Sequence, residues 1–195
     1  MIFPDWLSAY GRIKFNVEIV TQNGYELDLK EGVLSHYLGD KIFHSSVYFK
    51  TYAHGIKELL ETTSLNKDKL RFTFLAHVLL EMTIDRILLK INSDLGLSFY
   101  QSLAQCDTSY LLRFAKNNSA ADDNFLALIQ QFQKHQFVLK YNRTDVFIKS
   151  LVRIAQRVGI DINDSQALEL MGKVDEIESY VKGGFTQLHL LFIKN

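Results

Sequence analysis

The sequence predicts an all-α protein, a single-domain helical bundle spanning residues 1–195 with, at most, a short N-terminal β-hairpin. Three observations carry that expectation. Only one proline interrupts the chain, so little breaks a helix. Hydrophobic residues make up 47 %, and 14 Phe and 9 Tyr supply bulky core material. From Gly32 onward apolar residues recur at the three- and four-residue intervals of a helix buried along one side. A chain of this length encloses one core without needing a second domain.

The elements follow in order. Residues 13–29, "IKFNVEIVTQNGYELDL", alternate apolar and polar on both sides of Asn23-Gly24, a dipeptide suited to a tight hairpin turn. Helical blocks are expected at about 33–50, 52–63, 67–92, 98–116, 122–141, 144–158 and 165–194. Asn66 is placed to cap the third, and Asn117-Asn118 interrupts after the fourth. Thr144-Asp145 opens the sixth, Gly159 closes it, and Gly183-Gly184 should bend the last. No solenoid repeat or low-complexity segment is present.

Composition narrows the function classes. The 22 basic and 22 acidic residues balance, which removes the whole-molecule attraction to phosphate backbones that nucleic-acid binders use. Cys106 is the only cysteine, so no disulfide framework or cysteine zinc site is expected. The first residues lack a basic segment leading into an apolar run, and the reading is a soluble protein of a reducing compartment, the cytoplasm. The run "FTFLAHVLLEMTIDRILL" carries Glu81, Asp85 and Arg86 and predicts a buried helix rather than a membrane span. No glycine-rich phosphate loop or G-x-S-x-G elbow appears.

Two polar stripes stand out on apolar helices. In "GVLSHYLGDKIFHSS" His36, Asp40 and His44 follow at intervals of four, and in "FLAHVLLEMTIDRILL" His77, Glu81 and Asp85 do the same. Positions four apart drift by only about 40° around a helix, so each triplet shares a face. Imidazole and carboxylate are ligands for Zn²⁺, Mn²⁺ and Fe²⁺, and facing helices can assemble them. With 22 acids in 195 residues, six histidines should meet fewer than one acid four places on. Three such pairs occur: His36–Asp40, His54–Glu58 and His77–Glu81. Glu81 and Asp85 lie among apolar neighbours that leave little room for a wet face, and burying unpaired carboxylates is costly. Something positive should oppose them: a metal, or arginines such as Arg153 and Arg157 in an ion-pair network, with a solvated face as the third alternative.

Other residues read more plainly. His54 with Glu58 fits a surface helix pair. His135 and His189 lack an acid at that spacing, Ser45-Ser46 offers hydroxyls for a phosphate or merely a helix surface, and Cys106 fits a small buried hydrophobe. From Lys134 to Arg157, Lys134, Lys140, Arg143, Lys149, Arg153 and Arg157 are opposed only by Asp145. Lys149, Arg153 and Arg157 form a third stripe, placed to meet solvent, an acidic partner, a phosphate or the carboxylates above.

Four segments in order resemble the acyl carrier protein phosphodiesterases, an all-helical family related to the HD-domain metal-dependent phosphohydrolases. The likeness covers roughly residues 31–192 and sets 1–30 apart as divergent. Gly32, His36 and Asp40 match a glycine–histidine–aspartate segment, and Glu81, Asp85 and Leu88 match an acid-x-x-x-Asp-His-x-Leu helix. Tyr141, Leu151 and Arg157 match an aromatic segment followed by an amphipathic helix, and Tyr180 and Phe185 match the tail. The resemblance implies a divalent metal, typically Mn²⁺, and hydrolysis of the phosphodiester joining 4′-phosphopantetheine to acyl carrier protein, an acidic partner. On that reading His36, Asp40, His77 and Asp85 lead the ligand candidates, followed by His44 and Glu81. Asp40 and Glu81 are candidates for proton transfer, and Arg153 and Arg157 for holding phosphoryl oxygens. The sequence departs from the family at Arg86, where a histidine is usual, at Glu81, where Asp is usual, and in its opening "MIFPDWLSAYGRIKFN". His44 and His77 are additions. Either the metal site is rebuilt with other ligands, or a helical binding module keeps the fold without the activity.

Overall fold

The structure is a computed structural model that describes residues 24–65, 69–118 and 123–193. Among these the fold is all-α, as the sequence predicts. Its helices are α1 (Gly24–Ser45), α2 (Val47–Glu61), α3 (Lys69–Ile91), α4 (Asp94–Gln105), α5 (Thr108–Asn118), α6 (Asp123–His135), α7 (Thr144–Arg157), α8 (Asp164–Lys182) and α9 (Phe185–Ile193), with a 3-10 turn at Phe137–Lys140. Among the described residues, no helix is long and apolar enough to cross a membrane.

The hairpin expected over 13–29 is corrected where it can be followed. Residues 13–23 lie outside the described residues, but Tyr25–Leu29, its second strand, belong to α1. Alternation of Tyr25, Leu27 and Leu29 suggested a strand, yet Leu27 is exposed while Leu29 and Val33, four apart, are buried, so the helical period wins.

Several expected blocks are divided by caps hidden inside apolar runs. The 33–50 block breaks at Ser46, whose Oγ donates to the Phe43 carbonyl (2.6 Å) and accepts from Phe49 N–H (3.0 Å), ending α1 and capping α2. The 98–116 block breaks at Asp107, whose Oδ1 accepts from the N–H groups of Ser109 and Tyr110, both at 3.0 Å. Cys106 sits at this break and is exposed, not the small buried hydrophobe expected. The 122–141 block stops at His135, because Gln136 takes a φ of +43° before the 3-10 turn. Gly159 closes α7 as expected: its φ is +74°, its N–H reaches the Gln156 carbonyl (3.0 Å), and that of Ile160 reaches Ala155 (3.0 Å), a Schellman closure. Gly183-Gly184 separates α8 from α9. Asn66 lies outside the described residues.

The chain divides into two compact units, residues to Ile42 with Phe99–Gln136, and Phe43–Ser98 with Phe137 onward. In the first, Leu103, Leu111, Phe114, Phe125 and Ile129 are buried, and Tyr100 stacks on Phe132 with ring centroids 5.5 Å apart. In the second, α2, α3, α7 and α8 enclose the larger core, including Ile56, Leu60, Leu79, Leu80, Phe147, Leu151, Leu170 and Val181. Two glycines let aromatic rings cross close to backbone there. Tyr180 lies over Gly55 and Tyr52 over Gly184, leaving no space for a Cβ at either position. The start of α8 is tied to the segment after α2: Asn163 and Gln166 form a capping box, Gln166 Nε2 donates to the Ser64 carbonyl (3.2 Å), and Glu169 accepts from Ser64 N–H (2.9 Å).

Candidate metal centre

The second unit contains the last turn of α1, and with it His44. Because Ser46 turns the chain so tightly there, the His44 ring comes against α3 and against Phe49 of α2. On α3, Phe72, Leu75, Ala76, Leu79, Leu80, Met82 and Ile87 face the core, which leaves His77 and Glu81 half-buried at its edge.

Glu81 is the hub. Its Oε1 lies 3.0 Å from His44 Nε2 and 2.9 Å from His77 Nε2, so two imidazoles meet on one carboxylate oxygen. Burial pushes the Glu81 carboxyl up, but hydrogen bonds and charge from His77 and then His44 outweigh it and hold the group below its usual range. An ionised carboxylate only accepts, so both Nε2 atoms donate. The two imidazole rings lie 4.7 Å apart between centroids. Phe49 meets both edge-on, at 4.8 Å from His44 and 4.9 Å from His77, which fixes their planes.

Among the described residues, His44, His77 and Glu81 are the group whose ligand atoms converge, all within 4.8 Å of one another. Bonds of roughly 2.0–2.2 Å to a tetrahedral ion separate neighbouring ligand atoms by about 3.3 Å, only a few tenths beyond the present hydrogen-bond lengths. The donor set, two imidazole nitrogens and one carboxylate oxygen, is borderline-soft and leaves coordination positions open. Its chemistry fits a divalent transition metal, and the widest of the three separations, within 4.8 Å, would close towards about 3.3 Å if all three groups bound one ion.

Asp85, one turn beyond Glu81, has no ion pair or hydrogen bond among the described residues and is exposed, so this stretch of α3 has the wet face that the sequence argued against. Loss of hydration, then the negative charge of Glu81, pushes its carboxyl up to about 7. Water reaching the exposed side chain screens part of that penalty. His36 and Asp40 belong to the first unit, where they face each other along α1 at 3.7 Å, His36 largely covered and Asp40 about half exposed. The positive partners of Glu81 are thus imidazoles and not Arg153 or Arg157, which stand exposed on α7.

Arg86 has structural work. Its Nε donates to Glu178 Oε2 at 2.8 Å, its other nitrogens reach the Tyr141 carbonyl and Thr144 Oγ1, and its guanidinium lies 5.5 Å from the Phe147 ring centroid. Glu178 also pairs with Lys90 at 2.7 Å and with Lys182 at 3.5 Å. Of the remaining histidines, His54 forms an exposed pair with Glu58 at 3.4 Å, and His135 bonds Gln131 at 2.9 Å. Sequence reasoning missed Phe49 and Glu178. The one available signal for Phe49 was its place three residues after a capping serine.

Compared with known proteins, the chain matches no family model, no curated protein and no solved structure.

Proposed function

We propose that the protein is a cytoplasmic, divalent-metal-dependent phosphodiester hydrolase whose ion, Mn²⁺, Zn²⁺ or Fe²⁺, is held by His44, His77 and Glu81. The observation that carries this reading is the convergence of two imidazole nitrogens on one carboxylate at the open edge of α3. A bound ion would supply a polarised phosphoryl oxygen and a water acidified towards neutrality. The chain's own residues set the conditions. His44 and His77 would present ring nitrogens to such an ion in place of their hydrogen bonds to Glu81, and Phe49, edge-on to both, keeps the rings in place. Asp85, one turn beyond Glu81 on α3 and raised above the ordinary carboxylate range, is the carboxyl placed to exchange a proton with water at that edge. The substrate class is supported by the resemblance to acyl carrier protein phosphodiesterases, which names the 4′-phosphopantetheine linkage of acyl carrier protein.

A second reading is a non-catalytic helical module, favoured by one observation: the His44–Glu81–His77 contacts are already satisfied as hydrogen bonds. Thermal melting with each metal, alongside cleavage of holo acyl carrier protein and of a generic phosphodiester, separates the two. Hydrolysis predicts a metal-dependent rise in melting temperature and turnover, both lost in His44→Ala and His77→Ala. A rise without turnover identifies a structural ion, and no rise with any metal leaves a hydrogen-bonded cluster.

A further inference from the structure

We propose that the cleft between α7 and α8 binds a small amphipathic monoanion, a carboxylate carrying an alkyl tail. The cleft has a volume of about 350 Å³, and α8 lines it with Asp164, Leu168 and Met171, α7 with Lys149, Val152 and Arg153. That volume falls in the range of small-molecule sites and is too small for a docked helix.

Its chemistry narrows the ligand. Lys149 and Arg153, one helical turn apart, line the same cleft as Asp164, yet neither makes an ion pair with it, so an anion can enter without displacing a bridge to Asp164. Among the lining residues two cations stand against one carboxylate, and Lys149 shares its charge with Asp145 one turn back, so the net positive charge is no more than one and matches a monoanion better than a phosphate dianion. Val152 and Met171 give an apolar lining, and Leu168 is 69 % exposed, a large side chain facing water that a tail would cover. No aromatic side chain lines the cleft, which removes the stacking surface a nucleobase or flavin would use. A charged head beside Arg153 and a flexible tail over Leu168 satisfy all of these features. The site shares no residue with the candidate metal centre and does not depend on it.

The experiment is a titration of the full chain with octanoate, followed by protein-observed NMR. Saturable shifts confined to α7 and α8 are expected, with octanol and acetate, which lack the charge and the tail respectively, at least about tenfold weaker. Lys149→Ala with Arg153→Ala, both on exposed side chains, should weaken octanoate by about tenfold or more while leaving the circular dichroism unchanged. Ala167→Leu, which narrows the cleft, gives a second route to the same loss. Equal affinity for octanol, undiminished octanoate binding in the double variant, or no saturable shift at millimolar octanoate would each overturn the proposal. Binding of an acidic amphipathic peptide in place of octanoate would overturn it in favour of a protein-docking face.

Discussion

Arg86 and Glu178 form a buried ion pair, Nε to Oε2 at 2.8 Å, with side chains only 4 % and 7 % exposed. Removing Arg86 would leave Glu178 with Lys90 and Lys182 as its remaining cations, but would strip the Tyr141 carbonyl of its guanidinium donor. Arg86→Ala is therefore expected to destabilise the fold by about 1.5–3 kcal/mol, measured by urea unfolding. Burial pushes the Glu178 carboxyl up, but bonds from Lys90 and Arg86 more than offset it and leave it below its ordinary value. Its stabilising contribution is complete above the unfolded carboxyl's pKa and is lost as pH falls through the lower folded value. Unchanged acid stability in Glu178→Gln would contradict this.

Asp85 has the opposite sign. Its folded carboxyl is raised to about 7 from 3.8, so between those values the folded state keeps a proton that the unfolded state has released. Stability from this group falls as pH rises across that window. Asp85→Asn should raise the melting temperature at pH 8 and leave it nearly unchanged at pH 3.5. A uniform shift at both pH values would place the effect elsewhere.

Tyr48 is 4 % exposed, and its hydroxyl has no hydrogen-bond partner among the described residues. Burial, then the neighbouring Tyr52, raises that hydroxyl far above the usual phenol. Removing an unsatisfied buried polar atom relieves a desolvation penalty, so Tyr48→Phe should stabilise by about 1 kcal/mol. A lowered denaturation midpoint would reveal a partner for the hydroxyl, such as a buried water.

Gly55 lies under Tyr180, whose hydroxyl donates to the Thr51 carbonyl at 3.2 Å. Alanine would gain about 1 kcal/mol of helix propensity, but its methyl displaces the ring and that bond, a disturbance of about 1–3 kcal/mol. Gly55→Ala should therefore cost about 1 kcal/mol net. In a Tyr180→Leu background the same change should become stabilising, and a double-mutant cycle by urea unfolding measures the reversal.

The helical class and the limits of α7 were legible because Thr144-Asp145 and Gly159 are local signals that depend on few distant contacts. The breaks at Ser46 and Asp107 were not, since a capping side chain inside an apolar run looks like any polar residue until the backbone turns. The same breaks left Cys106 exposed at a helix end. At the candidate site, His77 and Glu81 share one helix, so their meeting at 2.9 Å follows from four-residue spacing alone. His44 reaches the same oxygen only because of the turn at Ser46, and no spacing rule contains that. Glu178, 92 residues from Arg86, was equally invisible: pairing over such a distance is decided by packing.

The tie between Ser64 and Glu169 spans 105 residues and has a kinetic consequence. α2 and α3 are neighbours in the chain and can associate after a short search, whereas α8 must return across more than half the sequence to reach Ser64. Loop-closure entropy makes such a docking event late, so the native contacts at Ser64 should be weakly formed in the folding transition state. Glu169→Ala, which removes the acceptor of both the Ser64 N–H and the Ser64 hydroxyl, would then speed unfolding and leave the folding rate almost unchanged, making this small clasp a determinant of how long a folded molecule lasts.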